Sequence, residues 1–254
     1  MKRYIFTLLT LVLVANAQNS CCFQVGNSSL KIGGSYSYLW MKPSGFSTFE
    51  GSLAGAQGIY EYKPSNSVYA AGSLNWRQGN TTQGKENRFI LDIDASERVG
   101  FTFKPTCVDL KMSFFAGFGF RLIRHHLTQP QLDSIRFKYQ EFYVPLGIVN
   151  TYCVNQWFEI GINAIWMPQV FPTVVINPDG QTSWRIKKTF ANTQVEMPFI
   201  FKHPSWHHFS CSIKPFFQYW ENGKTIAKTG GIPLGIPKNT YHYVGTELDL
   251  SWTF

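Results

Sequence analysis

Apolar and polar residues alternate with a period of two along most of this chain, and this pattern limits the fold more than any other feature. From residue 30 to residue 40, one parity carries the apolar and aromatic side chains Leu30, Ile32, Tyr36, Tyr38 and Trp40. The same alternation returns in 68–76, 110–122 and 158–166. A helix would repeat every 3.6 residues, whereas a period of two is typical of β-strands with one apolar face. The sequence therefore predicts an all-β fold.

The composition is too apolar for a disordered chain and too poor in charge for an ordinary soluble surface. Of the 254 residues, 44% are hydrophobic, 17% are aromatic and 15% are charged. The formal net charge of +8 excludes an acidic tail and does not by itself indicate a nucleic-acid partner. After residue 17, no stretch approaches the roughly 20 consecutive apolar residues of a transmembrane helix. If a membrane covers this protein, we expect strands to cross it.

The first 17 residues have the three parts of a secretory signal peptide. Met1-Lys2-Arg3 is positively charged, and the segment from Tyr4 to Val14 is apolar. Ala15-Asn16-Ala17 has the small-x-small form that signal peptidase cleaves. An uncleaved anchor would need a longer apolar core. We therefore expect residues 1–17 to be removed and residues 18–254 to form a single exported domain.

The segments that connect the period-two stretches are of two kinds, short and long, which follow one another in turn along the chain. Short segments lie at about 62–67, 104–109, 150–156 and 203–207. Longer polar segments lie at about 41–51, 78–88, 124–136, 167–184 and 221–240. Three of the short segments contain a turn-forming proline, namely Pro64, Pro105 and Pro204. Outer-membrane β-barrels have this asymmetry, with tight periplasmic turns and long outer loops.

Ten strands fit between these segments, although eight or twelve strands also fit. Their approximate ranges are 29–41, 51–62, 67–78, 88–103, 108–123, 136–150, 155–168, 184–202, 207–221 and 240–254. An even number returns both termini to the periplasm, as single-chain bacterial barrels require. The predicted fold is an antiparallel, transmembrane, up-and-down β-barrel. A periplasmic or secreted β-sandwich also alternates and is the competing interpretation.

The C-terminal segment 244–254 resembles the assembly signal of bacterial outer-membrane β-barrels. Its residues of that pattern are Gly245, Leu248, Leu250, Trp252 and Phe254, and the terminal phenylalanine is the most informative of them. The resemblance implies insertion by the barrel-assembly machinery into the outer membrane of a Gram-negative bacterium. Its surroundings would then be outer-membrane lipid and lipopolysaccharide.

Charged residues occupy the parity that would face the barrel interior. They are Arg77, Asp92, Asp94, Lys111, Arg121, Glu141, Glu159, Glu196, Lys214, Glu247 and Asp249, with Arg98 beside them. A barrel of about eight strands is just filled by side chains, so ten strands leave a narrow lumen in which these charges are expected to pair. The alternative is a narrow, porin-like channel for small solutes. Glu97 shares the parity of Phe101, so we expect a bulge there or a strand that rises above the membrane.

An outer-membrane enzyme is a third alternative, but no catalytic, cofactor-binding or metal-binding residue is predicted. The outer rim offers His125, His126, Asp133, Ser134 and His242. These lack the spacing of a nucleophile, a base and an orienting group, and adjacent histidines in a polar loop are expected to be solvated. Three further histidines, His203, His207 and His208, surround a short turn without a cysteine or carboxylate to complete a metal site, and we expect them to hydrate it.

Cations gather near the predicted outer end of the strands. They are Lys85, Arg88, Arg124, Arg136, Lys138, Arg185, Lys187, Lys188, Lys224, Lys228 and Lys238. Such a rim would attract lipopolysaccharide phosphates or acidic polysaccharides. The plainer interpretation is that these cations keep the loops soluble.

All five cysteines map to the predicted periplasmic end of the barrel. They are Cys21, Cys22, Cys107, Cys153 and Cys211. The periplasm is oxidising, so disulfide bonds can persist there. Because five is odd, at least one thiol cannot pair within a monomer and is available to a neighbouring envelope protein.

This cysteine pattern is similar to that of the cross-linked outer membrane of chlamydiae and their relatives. Two segments, Tyr143-Val144-Pro145-Leu146-Gly147 and Trp166-Met167-Pro168-Gln169-Val170, also resemble barrel proteins of that group. The resemblance implies a structural or surface-interaction role within a disulfide-linked envelope. It assigns no function to an individual residue.

Overall fold

The computed structural model describes residues 26–106, 108–129, 132–177, 183–206, 208–226 and 235–254. These residues form fifteen β-strands in one antiparallel sheet and one short 3₁₀ helix, Pro204–Trp206. The strands are β1 (Ser28–Pro43), β2 (Phe49–Tyr62), β3 (Ser67–Gln83), β4 (Glu86–Phe103), β5 (Leu110–Gln129), β6 (Leu132–Tyr143), β7 (Leu146–Asn155), β8 (Phe158–Ile160), β9 (Asn163–Trp166), β10 (Thr173–Asn177), β11 (Ser183–Arg185), β12 (Thr193–Glu196), β13 (Phe199–Lys202), β14 (Phe209–Asn222) and β15 (Asn239–Thr253).

The sheet closes on itself as a barrel with ten walls. Strands β1 to β5 pair in sequence, and β15 pairs with both β14 and β1. The other three walls are each built from two pieces, β6 with β7, β8 with β9, and β12 with β13. Both pieces of a wall pair with the same neighbour, as β6 and β7 do with β5. The predicted ten-stranded, up-and-down antiparallel barrel is confirmed.

Two of the divided walls are interrupted at a proline, because proline has no amide hydrogen to donate to the ladder. Pro145 separates β6 from β7, and Pro198 separates β12 from β13. A third proline, Pro168, follows the end of β9. Beyond that point β10 pairs with β6, and β11 pairs with β10, so these walls rise further at one end of the barrel.

The two ends of the barrel differ in the length of their connections. Short connections join β2 to β3, β4 to β5, β7 to β8 and β13 to β14, and both ends of the described chain lie beside them. There, the backbone amide of Ser28 donates to the carbonyl oxygen of Phe254 at 3.1 Å. In outer-membrane β-barrels, the end with the short connections faces the periplasm. We call it the periplasmic end and the opposite end the outer end.

The prediction of long outer loops at 78–88 and 124–136 is wrong. β3 and β4 continue to Gln83 and Glu86 and turn through Gly84, whose φ of 58° is readily adopted by glycine. β5 likewise continues to Gln129 and β6 starts at Leu132. These stretches are polar on both faces, and they nevertheless pair as strands.

The outward side of the barrel is apolar and the inward side is mixed. Leu74, Leu248 and Leu250 are 56%, 57% and 70% exposed on the outward side. No helix among the described residues is long and apolar enough to span a membrane.

Glu97 lies on the outward side without the predicted bulge. It is exposed, and its cross-strand neighbours are Gly72 and Phe118. The register of β4 with β3 and with β5 runs through this position without a shift. A bulge would have turned the Glu97 carboxylate away from lipid. The regular ladder leaves this carboxylate on the outward face.

Candidate functional site: the barrel interior

The inward side chains of the outer half of the barrel form an apolar and aromatic core. Those exposed by 3% or less are Leu39, Met41, Phe49, Leu53, Ile90, Ile123, Tyr139, Val174, Ile186, Trp220, Tyr241 and Tyr243. The polar ends of two of these aromatic residues, Tyr139 and Tyr241, find partners within the core. Tyr241 Oη lies 3.0 Å from His125 Nε2, and Asn239 Nδ2 donates to Tyr139 Oη at 2.8 Å. The outer half of the lumen is therefore filled by packed side chains.

Two arginines and one aspartate form a buried ion network beneath this core. Arg121 donates through Nε to Asp92 Oδ1 at 2.9 Å and through Nη2 to Asp92 Oδ2 at 2.6 Å. Arg77, the direct cross-strand neighbour of Asp92, donates to the same Oδ2 at 3.0 Å. Arg77 also reaches across the lumen to Gln218 Oε1 at 2.9 Å. Paired and hydrogen-bonded charges of this kind are the ones that burial tolerates.

Aromatic rings from the opposite walls cover the two guanidinium groups. The Arg121 guanidinium carbon lies 4.4 Å from the Trp220 ring centroid, and that of Arg77 lies 4.7 Å from the Tyr243 centroid. Cation–π contacts favour this arrangement when water is excluded. We call the five residues Arg77, Asp92, Arg121, Trp220 and Tyr243 the plug. They join β3, β4, β5, β14 and β15 across the lumen.

Glu141 extends this network to the chain segments above the barrel walls. It is fully buried and accepts hydrogen bonds from Trp220 Nε1 and from Gln169 Nε2. Gln169 also accepts from the backbone amide and hydroxyl of Thr189. These bonds hold the segments after β9 and after β11 against the plug.

A glycine on β5 makes room for the next polar contact. A Cβ on Gly119 would lie 2.2 Å from the Tyr143 ring, so only glycine allows the ring to pack there. Tyr143 Oη donates to Asp94 Oδ1 at 2.8 Å. The sequence alone does not identify the ring that packs against this glycine.

A cavity of about 340 Å³ lies between the plug and the periplasmic end. Its lining contains the cations Lys31, Lys63, Arg98, Lys104, Lys111, Lys202 and Lys214. It also contains the carboxylates Glu61, Asp94, Asp109, Glu159, Glu196, Glu247 and Asp249. Among the described residues the lining is thus balanced in formal charge. Its residues extend from Lys63 and Thr253 at the periplasmic end to Tyr143 beside the plug.

Ion pairs and hydrogen bonds connect the charged groups around the cavity. Lys214 Nζ lies 2.6 Å from Glu247 Oε2 and 3.8 Å from Glu196 Oε2, and Gln57 Nε2 donates to Asp249 Oδ1 at 2.6 Å. Nearer the periplasmic end, Lys31 pairs with Glu61 at 2.6 Å, and Lys202 pairs with Glu159. These contacts join neighbouring walls, or in the case of Gln57 and Asp249 walls on either side of β1, and they stabilise the closed barrel.

Lys63 lies in the turn after β2, at the periplasmic mouth of the cavity. Its Nζ donates to Thr151 Oγ1 at 3.0 Å. Burial lowers the pKa of the Lys63 ammonium, and the charges of Lys31 and Lys202 act in the same direction, whereas Glu61 raises it. Lysines converge at this mouth without making it strongly cationic, because carboxylates alternate with them.

The charges predicted to face inward all lie on the inward side of the barrel. Nine of the eleven are 8% exposed or less: Arg77, Asp92, Asp94, Arg121, Glu141, Glu196, Lys214, Glu247 and Asp249. The other two, Lys111 and Glu159, are half-buried and line the periplasmic cavity. The parity of a strand places each residue on a face, and the closed barrel brings distant strands together.

The histidines of the predicted outer rim do not form a common site. His125 was expected in a solvated loop, but it lies within β5, is 1% exposed and faces the lumen. His126 and His242 lie on the outward parity, and His242 contacts the Tyr219 ring. The side chains of Asp133 and Ser134 lie outside the described part of the structure. The described histidines of the rim are therefore divided between two faces of the wall.

Arg88 was expected among the outer cations, but it faces the lumen. Its guanidinium carbon lies 4.1 Å from the Phe49 ring centroid, and its Nη1 lies 3.5 Å from His125 Nδ1. The parity shared with Ile90 and Asp92 is the sequence signal that places it inside. Lys228 lies outside the described residues.

The periplasmic histidines make local contacts where they are described. His203 Nδ1 lies beside Ser205 Oγ, and His208 Nδ1 lies 2.8 Å from the carbonyl oxygen of Thr253. His207 lies outside the described residues. Within the described part of the chain, no group of three His, Cys, Asp or Glu side chains could hold a metal ion.

Two of the five cysteines lie in described residues. Cys153 is 5% exposed on β7, near the periplasmic end, and Cys211 is a free thiol on the outward parity of β14. Cys21, Cys22 and Cys107 lie outside the described residues, as do Ala15 and Ala17 of the predicted cleavage site. Disulfide connectivity and signal cleavage stay predictions.

The residues of the predicted assembly signal lie on β15 and at its end. Leu248, Leu250, Trp252 and Phe254 are exposed on the outward side, and Gly245 lies on the inward parity. The Trp252 and Phe254 rings contact each other at 5.2 Å between centroids, close to the periplasmic end. Recognition by the assembly machinery stays a prediction.

No protein-family model matches the chain. No curated protein matches its sequence either. Solved structures are similar to it in fold. The outer-membrane protease OmpT of Escherichia coli has a TM-score of 0.52 and 12% sequence identity, covering 94% of this chain and 100% of its own.

Two further solved structures match with lower scores. The translocator domain of the autotransporter NalP from Neisseria meningitidis has a TM-score of 0.45 and 9% identity, covering 100% of this chain and 97% of its own. The toluene transporter TodX of Pseudomonas putida has a TM-score of 0.40 and 10% identity, covering 90% of both chains. Together with the closed ten-stranded sheet, the likeness to OmpT defines the fold as that of a bacterial outer-membrane β-barrel.

Proposed function

We propose that this protein is a plugged β-barrel of a bacterial outer membrane, with a structural or surface-interaction role. The observation that supports this role is the plug, in which Arg77, Asp92 and Arg121 pair beneath Trp220 and Tyr243. All five side chains are 6% exposed or less. A lumen filled in this way offers solutes no continuous aqueous route through the described residues.

The narrow-channel alternative draws support from the cavity on the periplasmic side of the plug. That cavity, about 340 Å³ in volume, is lined by charged groups of both signs. To conduct, the barrel would have to move the plug aside, which would separate two arginines and one aspartate that now form ion pairs. The enzyme alternative is weaker because His125 and His242 face opposite sides of the wall.

Planar-bilayer recording of the purified, refolded protein tests the plugged role. We expect no discrete conductance steps from the wild-type chain. The matched variant is Trp220→Ala combined with Tyr243→Ala, which removes the two rings that cover the arginines. Because this variant vacates part of the lumen, we expect it to show discrete openings.

Discrete openings from the wild-type protein would refute the plugged role and favour the narrow channel. Heat-modified gel mobility provides the folding control for both proteins, since a folded barrel migrates differently before and after boiling. If the variant keeps this mobility shift and conducts, the barrier to conduction in the wild-type protein lies at the plug.

Periplasmic cross-linking is a further part of the proposed role. The support for it is the free thiol of Cys211 near the periplasmic end of β14, together with the predicted position of Cys21 and Cys22 at the same end. An oxidising compartment preserves such bonds. Non-reducing electrophoresis of isolated envelopes measures this cross-linking. A monomer band that reductant leaves unchanged would exclude disulfide links to other proteins.

A further inference from the structure

Four cations form a patch on the outward side of the barrel, toward its outer end. They are Arg124 on β5, Arg136 and Lys138 on β6, and Arg185 on β11, and we call them the outer cation patch. Their strand neighbours Ile123 and Tyr139 are buried in the lumen, so alternation turns Arg124 and Lys138 outward. Arg124, Arg136 and Arg185 are exposed and Lys138 is half-buried.

The register of the sheet places like charges directly beside one another in this patch. Arg124 is the cross-strand partner of Lys138, and Arg136 lies two residues from Lys138 on the same face of β6. The like charges of Arg124 and Lys138 repel and destabilise this part of the sheet. Thr173 on β10 pairs with Gln140 on β6 and with Arg185 on β11. Arg185 therefore lies two strands away from Gln140 and extends the patch to β11.

Carboxylates that could neutralise the patch are missing from its surroundings in the described residues. The outward positions with described side chains on β5, β6, β10 and β11 contain no aspartate or glutamate. The ion pairs of the described chain include none of the four cations. This differs from the periplasmic mouth, where carboxylates alternate with lysines. Within the described part of the chain, the outer cation patch therefore has no anionic partner, as expected for a surface that binds an external anion.

An apolar and aromatic surface begins immediately below the patch. Leu122 and Phe120 precede Arg124 on the outward side of β5, and the Phe120 and Phe142 ring centroids are 5.0 Å apart. Two residues along a strand span about 7 Å, so Arg124 lies within about 7 Å of Leu122, and Arg136 lies one further step toward the outer end. At the outer boundary of a membrane this is the depth of lipid phosphates, with acyl chains beneath them.

We propose that the outer cation patch binds the phosphate groups of a phosphorylated glycolipid of the outer leaflet, of the lipid A type. This inference depends on the proposed membrane location. The paired Arg124 and Lys138 would share one phosphate, because a guanidinium and an ammonium both donate charge-assisted hydrogen bonds to its oxygens. The apolar surface below them would contact the acyl chains. A soluble polyanion would use the cations but not that surface.

Binding of purified lipid A to the refolded protein in detergent tests this inference. The patch variant combines Arg124→Gln with Lys138→Gln, and the matched control combines Lys42→Gln with Lys85→Gln, which removes two exposed cations elsewhere at the outer end. We expect the patch variant to bind about tenfold to thirtyfold more weakly, since each cation near an anionic lipid surface contributes measurably. The control should bind like the wild-type protein. Lipid A stripped of its phosphates should bind weakly to every form.

Equal binding by the patch variant and the wild-type protein would overturn the inference, as would equal binding of the phosphate-free lipid. A sulfated polysaccharide that binds through the patch where lipid A fails to bind would assign the surface to a soluble polyanion instead. Heat-modified mobility separates this failure from that of the proposed function. If the wild-type protein forms no heat-modifiable barrel in detergent, the membrane location itself fails. If it does form one, a negative result applies to the lipid site alone.

Discussion

Replacing Arg121 with methionine is expected to lower the free energy of unfolding by about 3–5 kcal/mol. Arg121 is fully buried and makes two of the three hydrogen bonds that the Asp92 carboxylate receives from arginines. Without it, the carboxylate keeps Arg77 alone and loses half of its positive partners in a site that water does not reach. Guanidinium-induced unfolding in lipid vesicles, followed by tryptophan fluorescence, measures the loss.

Arg124→Met is the matched control for this experiment. Arg124 lies three residues further along the same strand but is exposed on the outward side, so its loss is expected to change stability by less than about 0.5 kcal/mol. Adding Asp92→Asn to Arg121→Met should recover part of the loss, because the unpaired buried charge disappears. Equal effects at Arg121 and Arg124 would contradict the role assigned to the plug.

A charged residue introduced in the middle of the outward face should also be strongly destabilising. Leu74 on β3 is 56% exposed, a position at which arginine would normally be tolerated in a water-soluble protein. On a face covered by hydrocarbon, Leu74→Arg is expected to lower the unfolding free energy in vesicles by about 2–4 kcal/mol. The size of this destabilisation distinguishes lipid from water at the same side chain.

Asn80→Arg is the control, because Asn80 lies six residues further along β3 on the same outward face and toward the outer end. Near a membrane interface the cost of arginine falls to about 0–1 kcal/mol. A similar small effect for both substitutions would indicate that water covers both positions. Both substitutions introduce arginine on β3, so the strand propensity of arginine contributes equally to the two changes in unfolding free energy.

The sequence was sufficient for an even number of strands, about ten, and for the face on which most residues of the regular strands lie. A period of two encodes the face directly, so the parity of residues such as Asp92 and Glu247 is enough to assign them to the interior. The ends of the outer hairpins were mispredicted because their residues are polar on both faces. In 78–83, for example, the buried Thr81 is as polar as its exposed neighbours.

The contacts of the plug could not be predicted from the sequence. Arg77 and Gln218 are 141 residues apart, and their meeting across the lumen depends on how the closed sheet is staggered. His125 illustrates the opposite case, in which a usable signal was overlooked. It continues the parity of Arg121 and Ile123 and is buried with them. The polar composition of its neighbours outweighed that parity in the prediction of a loop.

We expect membrane hydrocarbon, and not water or a second protein layer, to contact the outward face of this barrel. Removing detergent from the folded chain of residues 18–254 and following it by analytical ultracentrifugation tests this most directly. The expected result is loss of the soluble species, because residues such as Ile32 and Leu250 are 63% and 70% exposed. A monodisperse, folded monomer in plain buffer would contradict the account.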